Sequence, residues 1–448
     1  MPEDSGGEPL PPGWRAASRA AGPLPEPQPS SASTNPEMPV PAHLPPGAQL
    51  ADAHLPDGPR PDPLIPDALP VLPRLRLSAR RRPAVAQRDA EGDWLDVIVL
   101  PDGSTALVIG HAGAHGGAPA TAAARLRAGL RDALRARAAP ADALAALGSA
   151  GPGRASPGGA PGRAVSSRGA AVCVAVLDPL TGSLRYATAG LPVPVVCAAD
   201  GAAAGPAGRR DTGSTILPSG AVLLLYSGPV PGPDGADPST ADPSTAAQNT
   251  AAQSVAARAA SVLAGSGSAA AADPADRVVP AVLAGLGGEG EAGPATVLAA
   301  HRLPAPVAGW AMNLPADPLA LRGLRMRLRD WLLGLGVSLS DRTDVELAVW
   351  EAAVNAIVHG RPVAGPATVT VSAGLDLAGR VVIQVSDRGR WRPPGPQDPV
   401  RRWPGGQGLM VIRQAADELD ITPGPRGTTV TLRRRVSRPV PGQAEPGE

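Results

Sequence analysis

From Ala348 to Val358 every residue is apolar except Glu351 and Asn355. The two polar side chains are four apart, so in a helix they stack on one side. A helix this apolar has no wholly polar face and is expected to be buried nearly all round. An unpaired buried carboxylate is costly, and such groups mark either a functional site or a tightly satisfied network. Two readings of the pair are open: a site, or two side chains that cap neighbouring backbone.

The residues that follow favour a site. Asp387 closes the alternating run "RVVIQVSDRG", with Gly389 two residues on. That places an acceptor at a strand end, where a flat ligand can approach backbone that lacks a Cβ. The stretch "GGQG", Gly405 to Gly408, precedes a helix whose first turn offers free N–H groups to phosphate. Each feature alone is common, and an aspartate at a strand end is usually a turn former. In the order ExxxN, DxG, GxG, GT they are specific. The region from Trp310 to about Arg435 resembles the GHKL (Bergerat-fold) ATPases, and among them the anti-sigma-factor serine kinases of the RsbW and SpoIIAB kind.

That resemblance implies ATP and magnesium as cofactors. It makes Asn355 the side chain that reaches magnesium between the phosphates and Glu351 the general base toward an acceptor serine. Asp387 would accept the adenine amino group, Gly389 would let the base approach, Gly406 and Gly408 would form a short phosphate lid, and Thr428 would support the adenine pocket. Phosphoryl transfer depends mainly on positioning and charge neutralisation, which such a set can supply.

A second set of candidates lies in "GDWLDVIVLPDGSTALVIGHAGAHG", Gly92 to Gly116. Two aspartates, Asp93 and Asp96, stand at a β-like run that ends in a glycine-and-histidine loop. Residues from about Arg88 to Ala300 resemble the SpoIIE-type branch of the metal-dependent serine/threonine phosphatases (PPM family). The opening strands carry this, with "LDPLTGSLRYATAG" and "LPSGAVLLLYSG". The resemblance implies a two-metal site of manganese or magnesium, but His111 stands where the family has its metal-bridging aspartate. Ser227 and Gly228 stand at the third acidic motif, and Gly293 and Pro294 at the closing one. Hard divalent ions need several oxygen ligands, and Asp93 with Asp96 cannot hold a bridged pair. The expectation is a phosphatase fold without its metals. Two alternatives stay open: a softer ion held by Asp93, His111 and His115, or recovery of the acids from Glu289 and Glu291.

The elements that must position these residues give an α/β (α+β) chain: a PPM-type β-sandwich flanked by helices, then a Bergerat-fold α/β sandwich. The expected divisions are a proline-rich disordered tail over 1–83, a phosphatase-like domain over 84–302, an ATPase-like domain over 303–437, and a second tail over 438–448. Of 56 prolines, 21 fall in the first 83 residues, without a sustained apolar period. In the first domain Leu126, Leu130 and Leu134 predict a helix over 120–137, and a turn at Asp178 to Gly182 joins two strands. The tandem "ADPSTADPST" opens an Ala/Ser/Thr-rich stretch read as a surface insertion. "HRLPAPV" reads as a linker. In the second domain Leu321, Leu324, Leu328 and Trp331 form a helical stripe, and Ser340 or Asp341 is the expected cap of the helix bearing Glu351.

Composition removes other classes. The chain of 448 residues has formal net charge +1, and "RLRLSARRR" is too short a basic run to argue for nucleic acid. No apolar run approaches the roughly 18 residues that span a bilayer, and the N-terminus has no signal-peptide pattern, so the expectation is a cytoplasmic protein. Cys173 and Cys197 read as small buried side chains. Together the resemblances imply a bacterial partner-switching regulator that acts on an anti-anti-sigma (STAS-like) protein or a sigma factor, with homodimerisation left open. The rival expectations are an active phosphatase and a non-enzymatic ATP-binding scaffold.

Overall fold

The computed structural model describes residues 66–82, 92–112, 119–149, 170–202, 204–208, 210–228, 245–265, 272–286, 294–360, 367–389, 408–424 and 427–440. Residues 1–65, His115, Glu289, Glu291, Gly293, Gly406 and residues 441–448 lie outside them. The described residues all belong to one compact unit.

Two five-stranded antiparallel sheets build the first domain. One contains, in spatial order, β2 (Leu75–Arg82), β11 (Ala295–Arg302), β10 (Val222–Ser227), β7 (Val195–Cys197) and β8 (Ala204–Pro206). The other contains β3 (Asp93–Val99), β4 (Thr105–Ala112), β5 (Ala170–Leu177), β6 (Ser183–Ala189) and β9 (Thr212–Ile216). Leu95, Leu107 and Ile109 from one sheet share a core with Leu77, Leu223 and Leu298 from the other. Such runs are buried on both faces because helices cover the outer ones. Helices α1 (Pro119–Arg135) and α2 (Pro140–Ser149) pack Leu130, Leu134 and Leu144 onto Trp94, Ile98 and Val108. Helices α3 (Thr245–Ala264) and α4 (Pro274–Gly285) cover the other sheet.

Helix α3 corrects one expectation. The tandem over 236–244 lies outside the described residues, but the Ala/Ser/Thr-rich stretch after it is not a surface insertion, because Ala252, Val255, Ala256, Ala259 and Leu263 recur at helical spacing and are buried in the core. The tail expectation is corrected at its inner end. Residues 66–82 are part of the fold: β1 (Ala68–Pro70) precedes β2, and β2 pairs with β11 over its whole length. Alternating Leu75, Leu77 and Ala79 give this arginine-rich strand a buried face.

The second domain is one antiparallel sheet with helices packed on it. Its order is β12 (Trp310–Pro315), β13 (Thr368–Leu375), β14 (Arg380–Ser386), β16 (Gly427–Arg435) and β15 (Glu418–Gly424). Period-two burial in β13 and β14 aims Val369, Val371, Val381, Ile383 and Val385 at α5 (Leu321–Leu335), α6 (Leu339–His359) and α7 (Gly408–Ala415). The buried stripe of α5 is Leu321, Leu324, Leu328, Leu332 and Leu335, so Leu332 takes the place expected for Trp331. Helix α6 is capped by Ser338, whose hydroxyl accepts from the Asp341 N–H, rather than by Ser340 or Asp341. It is not buried all round: Leu347, Trp350 and Val358 are exposed, on the side turned away from the sheet.

The ends of the described chain meet. Strand β1 pairs with β17 (Ser437–Pro439), so residues 438–440 belong to the fold rather than to a tail. The stretch read as a linker is itself held, since Leu303 and Val307 donate their N–H groups to the Arg74 and Pro73 carbonyls.

Candidate functional site

Helix α6 ties two clusters together. Glu351 and Asn355 are partly buried on its side facing the start of α7. A Cβ on Gly408 would stand 3.0 Å from Glu351 Oε2 and 3.3 Å from Asn355 Nδ2. A glycine lets the first turn of α7 settle over the pair at this distance without moving the ends of either side chain. At its other end α7 is fixed by Arg434, which donates to the Ala415 carbonyl at 2.8 Å and to Asp344 at 2.6 Å.

The second cluster gathers where α6 ends. Asp387, just past β14, donates its N–H to the Thr428 carbonyl at 2.9 Å and accepts at Oδ1 from the Gly389 N–H at 2.7 Å. Gly360 closes α6 so near that a Cβ there would lie 2.5 Å from Asp387 Cβ. Gly427 is tighter still: its φ is +144°, and a Cβ would fall 1.7 Å from the Asp387 carbonyl oxygen. Thr428 beside it is buried. Burial pushes the Asp387 carboxyl above the ordinary aspartate value, against the N–H groups of Gly389 and Thr428 that pull it down.

The structure thus brings together Glu351, Asn355 and Gly408 in one cluster and Asp387, Gly389 and Thr428 in the other. Sequence reasoning used Gly427 only as the first residue of the GT motif and did not name Gly360 as a site residue. The signal available was the glycine of "GTTV", whose need for positive φ no periodicity reveals. Chemically, a desolvated acceptor at a strand end and a carboxylate–amide pair beneath a helix start suit a ligand with a planar donor at one end and anionic groups at the other. An adenine nucleotide with magnesium fits that donor set.

The first domain's candidates part company. Asp93 and Asp96 are three apart in β3 and lie on opposite faces. Asp93 is buried, and its Oδ1 lies 2.6 Å from Nδ1 of His111, its cross-strand neighbour in β4. Asp96 faces α1, where Arg127 Nε lies 3.3 Å and Arg131 Nη2 3.0 Å from its oxygens, and Arg131 Nε also donates to it. Both arginines were missed; they stand four apart on α1, on the face turned to β3. Two carboxylates on opposite faces, one clamped by guanidinium groups, do not fit a bridged metal pair. Among the described residues no three His, Cys, Asp or Glu side chains cluster to hold a metal. Cys173 and Cys197 are buried free thiols that burial pushes up to about 12, which leaves them unreactive.

Comparison with known proteins agrees with both halves. Residues 101–284 match the family model of Stage II sporulation protein E (SpoIIE), and residues 314–434 match that of the histidine kinase-like ATPase domain. The chain is a SpoIIE-type, PPM-fold phosphatase-like domain fused to a GHKL ATPase-type domain. This is the architecture of a partner-switching regulator. Its likeness to the RsbU and RsbW domains of Rv1364c from Mycobacterium tuberculosis spans 83% of this chain and 98% of that one, at 29% identity and a TM-score of 0.63. The PP2C phosphatase domain of SpoIIE from Bacillus subtilis, solved with a fragment of its regulatory domain, is 14% identical. That match covers 51% of this chain and 64% of the other at a TM-score of 0.34. The SiaA-PP2C domain of Pseudomonas aeruginosa is 16% identical over 51% of this chain and 85% of that one, at 0.32. No helix among the described residues is long and apolar enough to cross a membrane.

Proposed function

We propose that the second domain binds Mg-ATP and phosphorylates a serine on an anti-anti-sigma-like protein, and that the first domain is a binding platform without hydrolytic metals. The observation that carries the nucleotide site is the set of three side-chain-free approaches, at Gly360, Gly408 and Gly427, around Asp387 and the Glu351–Asn355 pair. When bound, the nucleotide supplies a transferable phosphoryl group, its charge offset by magnesium.

The chain's own residues do the rest. Asp387 accepts from the adenine amino group, with Gly389 and Thr428 fixing its carboxylate. Asn355 would help hold the magnesium, and Glu351 would take the proton from the acceptor hydroxyl. Gly408 and the N–H groups that open α7 would hold the phosphates, while Gly406, expected to join them, lies outside the described residues. For the first domain, support comes from the Asp96 ion pairs, which occupy a carboxylate that a metal would need.

Calorimetric titration of Mg-ATP into the full chain tests this, with Asn355→Ala and Asp387→Ala beside it. Binding by wild type and its loss in both variants is the expected result; equal binding by all three would remove the site.

A further inference from the structure

The two domains exchange residues at their junction. Val71, from the segment ahead of β2 in the first domain, is buried in the core of the second. Val440, just past β17 at the end of the second, is buried in the core of the first. Its N–H donates to the Asp67 carbonyl at 2.9 Å, and the paired strands β1 and β17 lie between these two anchors.

Two arginines repeat the exchange. Arg76 of β2 donates to the Leu335 and Gly334 carbonyls at 2.6 and 2.8 Å, where α5 ends and its orphan carbonyls need partners. Arg438 of β17 donates to the Leu77 carbonyl at 3.0 Å and to Asp276 of α4 at 2.6 Å. Asp273 at the start of α4 adds a third member, bonded to His301 at 2.9 Å and near Arg76.

The grip falls on the corner between α5 and α6. The Ser338 N–H donates to the Ser437 carbonyl at 2.8 Å. Asp341, in the first turn of α6, accepts from the Ser437 N–H and hydroxyl at 2.8 and 2.6 Å and from Arg434 at 3.2 Å. Helix α6 then runs about 15 Å along its axis from Asp341 to Glu351. One rigid element therefore carries the nucleotide residues in its second half and, at its start, holds the strand β17 that pairs with β1 of the neighbouring domain.

We infer that the α5–α6 corner couples the two domains, so that nucleotide occupancy beside Glu351 and Asn355 changes the stability of β2 and α4, with Arg76 and Arg438 as the positioning residues. The inference rests on the nucleotide site proposed above. By linkage, loosening the junction must weaken nucleotide binding by the same factor.

The test is amide hydrogen exchange on the full chain with and without Mg-ATP, together with calorimetry, for wild type, Arg76→Gln, Arg438→Gln and Arg438→Lys. Expected in wild type is slowing of exchange by about fivefold or more in β2 and α4 on nucleotide addition. Both glutamine variants should lose that slowing and bind nucleotide about fivefold more weakly, while Arg438→Lys, which keeps the charge opposite Asp276, restores part of each. Nucleotide binding in wild type with unchanged exchange in β2 and α4 overturns the coupling and leaves the nucleotide site standing. The slowing persisting undiminished in both glutamine variants also overturns it. No nucleotide heat at all overturns both.

Discussion

Gly427 holds its backbone against Asp387 so closely that a methyl group on it would fall 1.7 Å from the Asp387 carbonyl oxygen. The contact joins the first residue of β16 to the residue just past β14, and the hydrogen bond from Asp387 N–H to the Thr428 carbonyl continues it. The residue that bears the acceptor carboxylate is therefore located by backbone, and the Gly389 N–H holds its Oδ1.

Substitution at this contact should be severe. Gly427→Ala must both move Asp387 and hold alanine at φ +144°, a conformation that alone costs about 1–3 kcal/mol. The expected outcome is a lower melting temperature together with lost nucleotide binding. Gly408→Ala meets only the ends of the Glu351 and Asn355 side chains. It should spare the melting temperature and weaken Mg-ATP about tenfold, or about 1.4 kcal/mol. An unchanged affinity in Gly408→Ala would place the phosphates elsewhere.

Nucleotide affinity should depend on pH through Asp387. Its carboxyl is raised by burial, and the adenine amino group needs the ionised form as acceptor. Affinity should therefore rise as pH climbs from the ordinary aspartate value near 3.9 through the raised folded value, then level off. The same sign rule makes ionised Asp387 a cost to folding without ligand: its contribution is favourable below the unfolded value and is lost as pH rises. Asp387→Asn should abolish the pH dependence in calorimetry and weaken binding by about 1.5–3 kcal/mol.

Asp341 behaves in the opposite sense. Burial alone would raise its carboxyl, but hydrogen bonds from Ser437, Ser338 and Arg434 hold it below the ordinary value. Its stabilisation is present above the unfolded value near 3.9 and is lost as pH falls through the lowered folded one. Asp341→Asn should cost about 2–3 kcal/mol at neutral pH and flatten the acid limb of the stability profile in denaturant titrations. A profile of unchanged slope would assign acid sensitivity to other carboxylates.

The Asp96 cluster gives the fourth test. Arg127 and Asp96 are both buried, and removing the carboxylate leaves the Arg127 charge buried without it. Asp96→Ala should destabilise the first domain by about 3–5 kcal/mol. No hydrolysis of a phosphoserine peptide is expected from wild type with either manganese or magnesium. Metal-dependent turnover by wild type would show that this domain keeps a working site.

Much of the second domain was legible because its signals are periodic or local. Alternation in β13 and β14, the lone polar pair in an apolar helix, and the order of the glycine motifs each survive in a single sequence. What escaped was set by tertiary contact. Nothing in the spacing of Asp93 and Asp96 names Arg127 and Arg131 as partners of one of them, since the pairing depends on α1 lying over β3. Proline density concealed β1 and β2, whose strand character comes from pairing with β17 and β11 rather than from local preference. Helix α3 was hidden by alanine, which serves an exposed helix and a tightly packed one equally well. Burial of α6 was overestimated because apolar content alone cannot tell a core face from the outward stripe of Leu347, Trp350 and Val358.

The exchange of Val71 and Val440 also sets an order of events during synthesis. Domains generally fold as units as the chain leaves the ribosome, the N-terminal one first. Here, among the described residues, the core of the first domain receives its last side chain from Val440, and β1 receives its one partner strand from Ser437–Pro439. The first domain can condense early, but it is sealed only when β17 emerges. A nascent chain stalled within the second domain thus carries an open seam along β1, which makes the arrival of Ser437 to Val440 the step that closes this unit.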